Sequence, residues 1–182
     1  SQTIQKLPES LAVIVPVYNA GNLVANVIRD IEPYVHTIWL IDDGSTDGCT
    51  HGLESDITKV INIDKNHGKG FALLLGYEKA IKDPDIECVA VLDADGQHDV
   101  RDLPRLYKAF QDNTADFLIG ARDFQMGIVP LRSRIGNNVT RIVSRFILGT
   151  ALNDTQSGFR LVSRKYTQSI LGTVTGGRYE TE

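Results

Sequence analysis

The readable pattern of the chain begins with an uninterrupted apolar run, "LAVIVPVY" over 11–18. β-Branched residues without polar alternation mark a strand buried on both faces, as central parallel strands are. Leu23, Val24, Val27, Ile28 and Ile31 then fall at helical spacing and stop before Pro33. "TIWLID" (37–42) and "KVINI" (59–63) read as the second and third strands. After "HGKG" the spacing predicts a helix with Phe71, Leu74, Tyr77 and Ile81 on one side. "IECVAVLD" (86–93) is a fourth strand, a helix starts near Val100, and "DFLIG" (116–120) is a fifth strand. Strands alternating with helices of this length predict an α/β fold with a mostly parallel sheet, helices covering both faces.

In such sheets ligands bind outside the carboxyl ends of the strands. The residues just after each strand are therefore the candidate site residues. Pro16, Tyr18 and Asn19 end the first strand, and "DDGS" from Asp42 ends the second. "NHGKG" (66–70) comes after the third, "DADGQH" (93–98) after the fourth and "GAR" (120–122) after the fifth. Acidic, glycine-rich and basic groups thus collect on one edge, a combination suited to a phosphate-bearing ligand.

Bulk properties narrow the field. At 182 residues the chain has the length of one domain. Its net charge of −4 argues against a generic nucleic-acid binder. Cys49 and Cys88 match no metal spacing and no disulfide framework, which fits a reducing compartment. The run at 11–18 is too short to span a bilayer.

Asp93 and Asp95 pose the main chemical question. Two residues apart at a strand end, they point to the same face, and their charges repel unless a cation answers them. Oxygen ligands of this kind suit Mg2+ or Mn2+, which commonly bind one or two carboxylates together with substrate phosphates. Gln97 continues the alternation and offers a neutral oxygen, while His98 suits a supporting hydrogen bond better than direct ligation. The plainer alternative is a capped strand end. In "IDDGST", Asp42 or Asp43 can accept from a base or ribose; alternatively the stretch is a turn in which Ser45 or Thr46 caps a following helix. "NHGKG" resembles a phosphate cradle with Lys69 supplying charge, or else a glycine turn before a helix. It lacks Walker A spacing, and no G-x-G-x-x-G comes after the first strand. Further on, Arg134, Asn138, Arg141 and Arg145 make a stripe about 100° round a helix from Ile135, Val139, Ile142 and Phe146. Between 122 and 149 five arginines face one aspartate, a local +4 that suits anionic headgroups or a lipid phosphate, or simply a solvated face.

Taken in order, "VIVPVYNA", "LIDDGSTDG", "NHGKGFAL", "VLDADGQH", "IGAR" and "DTQSGFR" resemble the family-2 glycosyltransferases of GT-A fold. Within them the chain is most similar to the dolichol- and polyprenyl-phosphate sugar synthases, from about Leu11 to Glu182. The resemblance implies a Rossmann-like sandwich in one domain over 1–182, forming the N-terminal part of a longer chain. It implies a nucleotide-diphosphate sugar donor and transfer with inversion. Pro16, Tyr18, Asn19, Asp42, Asp43, Lys69 and Asp93 would bind the donor nucleotide. Asp93, Asp95 and Gln97 would hold the metal, with Asp95 as the catalytic carboxylate. Arg122, Arg134 and Arg160 would meet the acceptor phosphate, with Asp154 lining the same side. Such an enzyme would work in the cytoplasm, peripheral to the cytoplasmic face of the membrane, without nucleic acid.

The chemistry is consistent with these residues. A lipid phosphate is already anionic and needs arginines to position it, whereas a hydroxyl acceptor needs a base. Only Glu180 and Asp154 offer themselves as that base. The competing expectations are a family-2 enzyme acting on a glycan or other hydroxyl, and a non-catalytic module binding nucleotide or lipid phosphate. The base, the sugar and the oligomeric state are encoded in no motif.

Overall fold

The computed structural model describes residues 4–114, 116–121 and 157–176. Among them, six strands form one sheet: β1 (Leu11–Val17), β2 (Ile38–Asp42), β3 (Thr58–Asn62), β4 (Cys88–Val91), β5 (Phe117–Ala121) and β6 (Ser157–Ser163). Their order across the sheet is β3-β2-β1-β4-β6-β5. β1 pairs in parallel with β2 and β4, and β2 with β3. β6 runs antiparallel to both β4 and β5, so β5 again points the way of β4. The mostly parallel sheet expected from the pattern is therefore present, with β6 an addition to it.

Among the described residues four helices cover the sheet: α1 (Leu23–Ile31), α2 (Lys69–Ile81), α3 (Leu103–Asp112) and α4 (Arg164–Gly176). β1 is buried along its whole length and shares its side chains between two cores. Val13, Val15 and Val17 pack with α1 and α3, while Ala12 and Ile14 pack with α2 and α4. That division is the period-2 alternation of a strand covered on both faces. α1 and α3 bury the same i, i+3, i+4, i+7 set, Val24, Val27, Ile28, Ile31 and Leu103, Leu106, Tyr107, Phe110. Pro33 sits in a 3-10 turn (Glu32–Tyr34) that ends α1, and a second such turn (Val100–Asp102) leads into α3.

Two expectations change. α2 buries only part of the side expected from its bulky residues: Tyr77 is buried, and Leu74 and Ile81 are half-buried against the core. Phe71 is exposed and stacks on His67, ring centroids 4.7 Å apart, and the buried set is Ala72, Leu73, Gly76, Tyr77 and Ala80. The small residues let the helix lie close on β1: a Cβ at Gly76 would stand 2.6 Å from Ile14 Cγ2. The second change is that "STDG" starts no helix. Residues 43–57 run from β2 to β3 as turns.

Carboxylates shape those turns. Asp42 Oδ1 accepts from the Ser45 amide at 2.8 Å and Oδ2 from the Thr50 hydroxyl at 2.6 Å. Asp43 accepts the His67 and Gly68 amides at 2.9 and 2.8 Å, one on each oxygen. Gly44 lies so close to the backbone at Lys65 that a Cβ would meet its carbonyl carbon at 2.5 Å. On the other side, the Thr46 amide donates to Asn19 Oδ1 and the Gly21 amide to Asp47 Oδ2. Asn19 holds φ at +48°, a left-handed conformation that these bonds stabilise. A hydrogen bond from the Cys49 thiol, and then the Gly21 amide, keep the Asp47 carboxyl below its usual range. The loops after β1, β2 and β3 are thereby strapped into one edge.

Two outcomes test this packing. Gly76→Ala should lower the melting temperature, because overpacking of about 1–3 kcal/mol outweighs a helix-propensity gain of about 1 kcal/mol. An unchanged or raised melting temperature would mean that Ile14 yields without cost. Asp43→Asn should speed hydrogen exchange at the His67 and Gly68 amides by about tenfold or more, as charge-assisted bonds are lost. Undisturbed protection would show that something other than Asp43 holds the loop.

Candidate active site

The chain reverses direction across the sheet at β1, whose neighbours β2 and β4 lie on opposite sides. That is the topological switch point, where a crevice opens beyond the carboxyl ends of the strands. A cleft of about 500 Å3 lies there. Pro16 and Tyr18 from the end of β1, Asp43 after β2, Lys69 at the start of α2, and Asp93 and Asp95 after β4 all line it. Six residues singled out from sequence thus share one cavity.

The walls differ in character. Tyr18 is 51% exposed and Leu23 50%, so an apolar rim flanks one side of the opening. Such a rim suits the flat face of a base or ribose. Across it lies the charged floor. Asp93 Oδ1 receives Lys69 Nζ at 2.7 Å and Arg160 Nη2 at 3.3 Å. The repulsion anticipated between Asp93 and Asp95 is answered by these two side chains. Arg160 reaches Asp93 from inside the fold: it pairs with Val91 across β4 and β6, and its side chain is 5% exposed.

Asp93, Asp95 and His98 form a group whose ligand atoms all lie within 4.8 Å of one another. Two carboxylates and an imidazole suit a divalent cation such as Mg2+ or Mn2+. His98 Nε2 stands 3.9 Å from Asp95 Oδ1, beyond hydrogen-bond range, and its ring packs near Phe159. The imidazole thus joins the two carboxylates in one group, close enough to share a cation with them. Its signal is the three-residue step from Asp95, which a tight turn at Gly96 (φ +68°) folds back. Gln97 is exposed, and its backbone N–H donates to Asp95 Oδ1 at 3.0 Å.

The remaining expected residues divide into four groups. Asn19 and Asp42 do not line the cleft; they hold its loops through the hydrogen bonds to the 45–50 turn. The cradle reading of "NHGKG" changes in part. The His67 and Gly68 amides are turned to Asp43 and not to the cleft, which leaves Lys69 as the loop's ligand-facing charge. Arg160 faces Asp93 from a buried position. Arg122, Arg134, the basic stripe to Arg145, Asp154 and Glu180 lie outside the described residues.

Known proteins resemble this chain in sequence. The chain is 30% identical over 178 residues to the glycosyltransferase AglJ of Haloferax volcanii, covering 96% of this chain and 57% of that protein. It is 31% identical to the polyprenol monophosphomannose synthase of Mycolicibacterium smegmatis, over 87% of this chain and 63% of that one. The UDP-N-acetylglucosamine–dolichyl-phosphate N-acetylglucosaminyltransferase of Methanococcus voltae is 25% identical, with coverages of 92% and 75%. The chain thus spans less than two thirds of the first two relatives. Among solved structures, mannosyl-3-phosphoglycerate synthase from Rubrobacter xylanophilus superposes with a TM-score of 0.50 at 18% identity, over 85% of this chain and 53% of that one. That likeness concerns the fold, which is the GT-A sandwich expected from the sequence. The family description "Glycosyl transferase family 2" fits residues 12–171, nearly the whole sheet with its cleft, and on that match the chain belongs to glycosyl transferase family 2.

Proposed function

We propose that the chain carries the donor site of a metal-dependent, inverting hexosyltransferase that uses a nucleotide-diphosphate sugar and a polyprenyl phosphate. The observation that carries this reading is the Asp93–Asp95–His98 group, whose two carboxylates line the cleft at the switch point beside Lys69. Relatives named for polyprenol and dolichyl phosphate support the acceptor class.

In this reading the base and ribose lie against Pro16 and Tyr18, with Asp43 beneath them. The diphosphate extends toward Lys69 and the three-residue group. A divalent cation bound there supplies Lewis-acid stabilisation of the charge that develops on the departing diphosphate. Lys69 adds a second positive group to the same leaving charge. Asp95 and His98 would hold that cation together with Asp93, which Arg160 keeps in place. The acceptor phosphate approaches the anomeric carbon from the face opposite the diphosphate, which inverts the configuration. Because the phosphate is already anionic, no side chain has to remove a proton from it. We assign its positioning to Arg122 and Arg134, whose guanidinium forks match phosphate oxygens. No helix among the described residues is long and apolar enough to cross a membrane, and we assign contact with the lipid to the membrane surface.

The test pairs donor binding with transfer. With Mn2+, one of UDP or GDP should raise the melting temperature, by about 2.7 kcal/mol of stabilisation at a hundredfold excess over Kd. Chelator or Asp95→Asn should remove the shift without unfolding the chain. Labelled sugar from the matching nucleotide should then reach a polyprenyl phosphate in detergent and not the corresponding polyprenol. Metal-independent stabilisation would contradict the donor site, and transfer to the polyprenol would contradict the acceptor.

A further inference from the structure

Asp93 does not wait for a metal with its charge exposed. Its Oδ1 already receives two cations, and the two differ in mobility. Arg160 is fixed: it belongs to β6, is hydrogen-bonded into register beside Val91, and has a side chain 5% exposed. Lys69 is not. It is the first residue of α2, its side chain is 43% exposed, and a flexible four-carbon stem carries its ammonium to 2.7 Å from Asp93. A divalent cation shared by Asp93, Asp95 and His98 would have to stand within a few ångströms of that ammonium, since all three ligand atoms lie within 4.8 Å. Like charges so close repel strongly wherever water is partly excluded, so metal and ammonium compete for one carboxylate.

The ammonium also needs somewhere to go. The cleft that Lys69 lines is the one assigned to the donor diphosphate, and that is the alternative anion within its reach. We propose that Lys69 is a tethered counter-ion: it occupies Asp93 in the empty site and is exchanged for the metal when a nucleoside diphosphate draws it away. Metal and nucleotide then bind cooperatively, each clearing the way for the other. Linkage makes the effect reciprocal, so the factor by which nucleotide tightens metal equals that by which metal tightens nucleotide. This inference rests on the donor-site reading and adds to it an order of events and a role for one side chain.

Titration of Mn2+ by electron paramagnetic resonance, which counts the unbound ion, tests it without any turnover. The wild-type chain should bind Mn2+ alone weakly and bind it more tightly with UDP or GDP present. Lys69→Met should bind Mn2+ alone about five- to tenfold more tightly than wild type, and its tightening by nucleotide should shrink by a similar factor. Lys69→Gln should behave alike, which guards against a folding defect peculiar to one variant. Lys65→Met, removing an exposed charge four residues earlier, should leave both constants within about twofold of wild type, since exposed charges are screened. Synergy in wild type with no tightening in the Lys69 variants, or equal tightening in Lys65→Met, would overturn the exchange while leaving the donor site standing. A wild-type chain that binds no Mn2+ even with UDP or GDP would overturn the donor site and the exchange with it.

Discussion

The Asp93 carboxylate is the point on which the edge of this sheet is balanced. It ends β4, receives Lys69 from the start of α2 and Arg160 from β6, and so links three elements at a single oxygen. A buried or half-buried carboxylate is costly unless paired, and here the pairing also sets direction. Arg160 comes up through the core from below and Lys69 comes in across the cleft from above. The carboxylate is held with Asp95 and His98 beside it, facing the cavity where β1 and β4 diverge. Removing either cation would change both the charge and the aim of the group.

Aspartates serve two distinct purposes along this edge, and burial with local partners separates them. Asp42, Asp43 and Asp47 spend their oxygens on amides and a hydroxyl of neighbouring loops, and the first two are almost wholly buried. They act as scaffolding. Asp93 and Asp95 are more open, and cations or an imidazole are their neighbours. Asp43 belongs in part to both groups, since it clamps the 67–68 backbone and also lines the cleft. The rigidity of the floor thus depends in part on carboxylates, Asp42 and Asp47, that do not line the cleft.

Much of this is legible in the chain because its strongest signals are physical necessities. A seven-residue strand buried on both faces must read as a continuous apolar run, and β1 does. α1 and α3 bury one face each, so their spacing is visible. The rule that ligands lie beyond strand ends brings Pro16, Tyr18, Asp43, Lys69, Asp93 and Asp95 to one place. β6 is harder, because Arg160 interrupts its apolar residues and a charge inside a strand reads as surface. The ion pair with a residue 67 positions away accompanies its burial. The face of α2 misleads because three of its five buried residues, Ala72, Gly76 and Ala80, carry little hydrophobic signal beside Leu73 and Tyr77, while Phe71 faces outward against His67. The "NHGKG" amides suggest a phosphate cradle because sequence cannot show that Asp43 already occupies two of them.

Anomalous scattering from a crystal grown with Mn2+ and the preferred nucleoside diphosphate addresses the central claim most directly. The account predicts one strong manganese peak within coordination distance of Asp95 and the diphosphate, with Lys69 Nζ moved from Asp93 to a phosphate oxygen. A nucleotide bound in the cleft with no manganese at Asp93, Asp95 and His98, or with Lys69 still on Asp93 beside the metal, would contradict it.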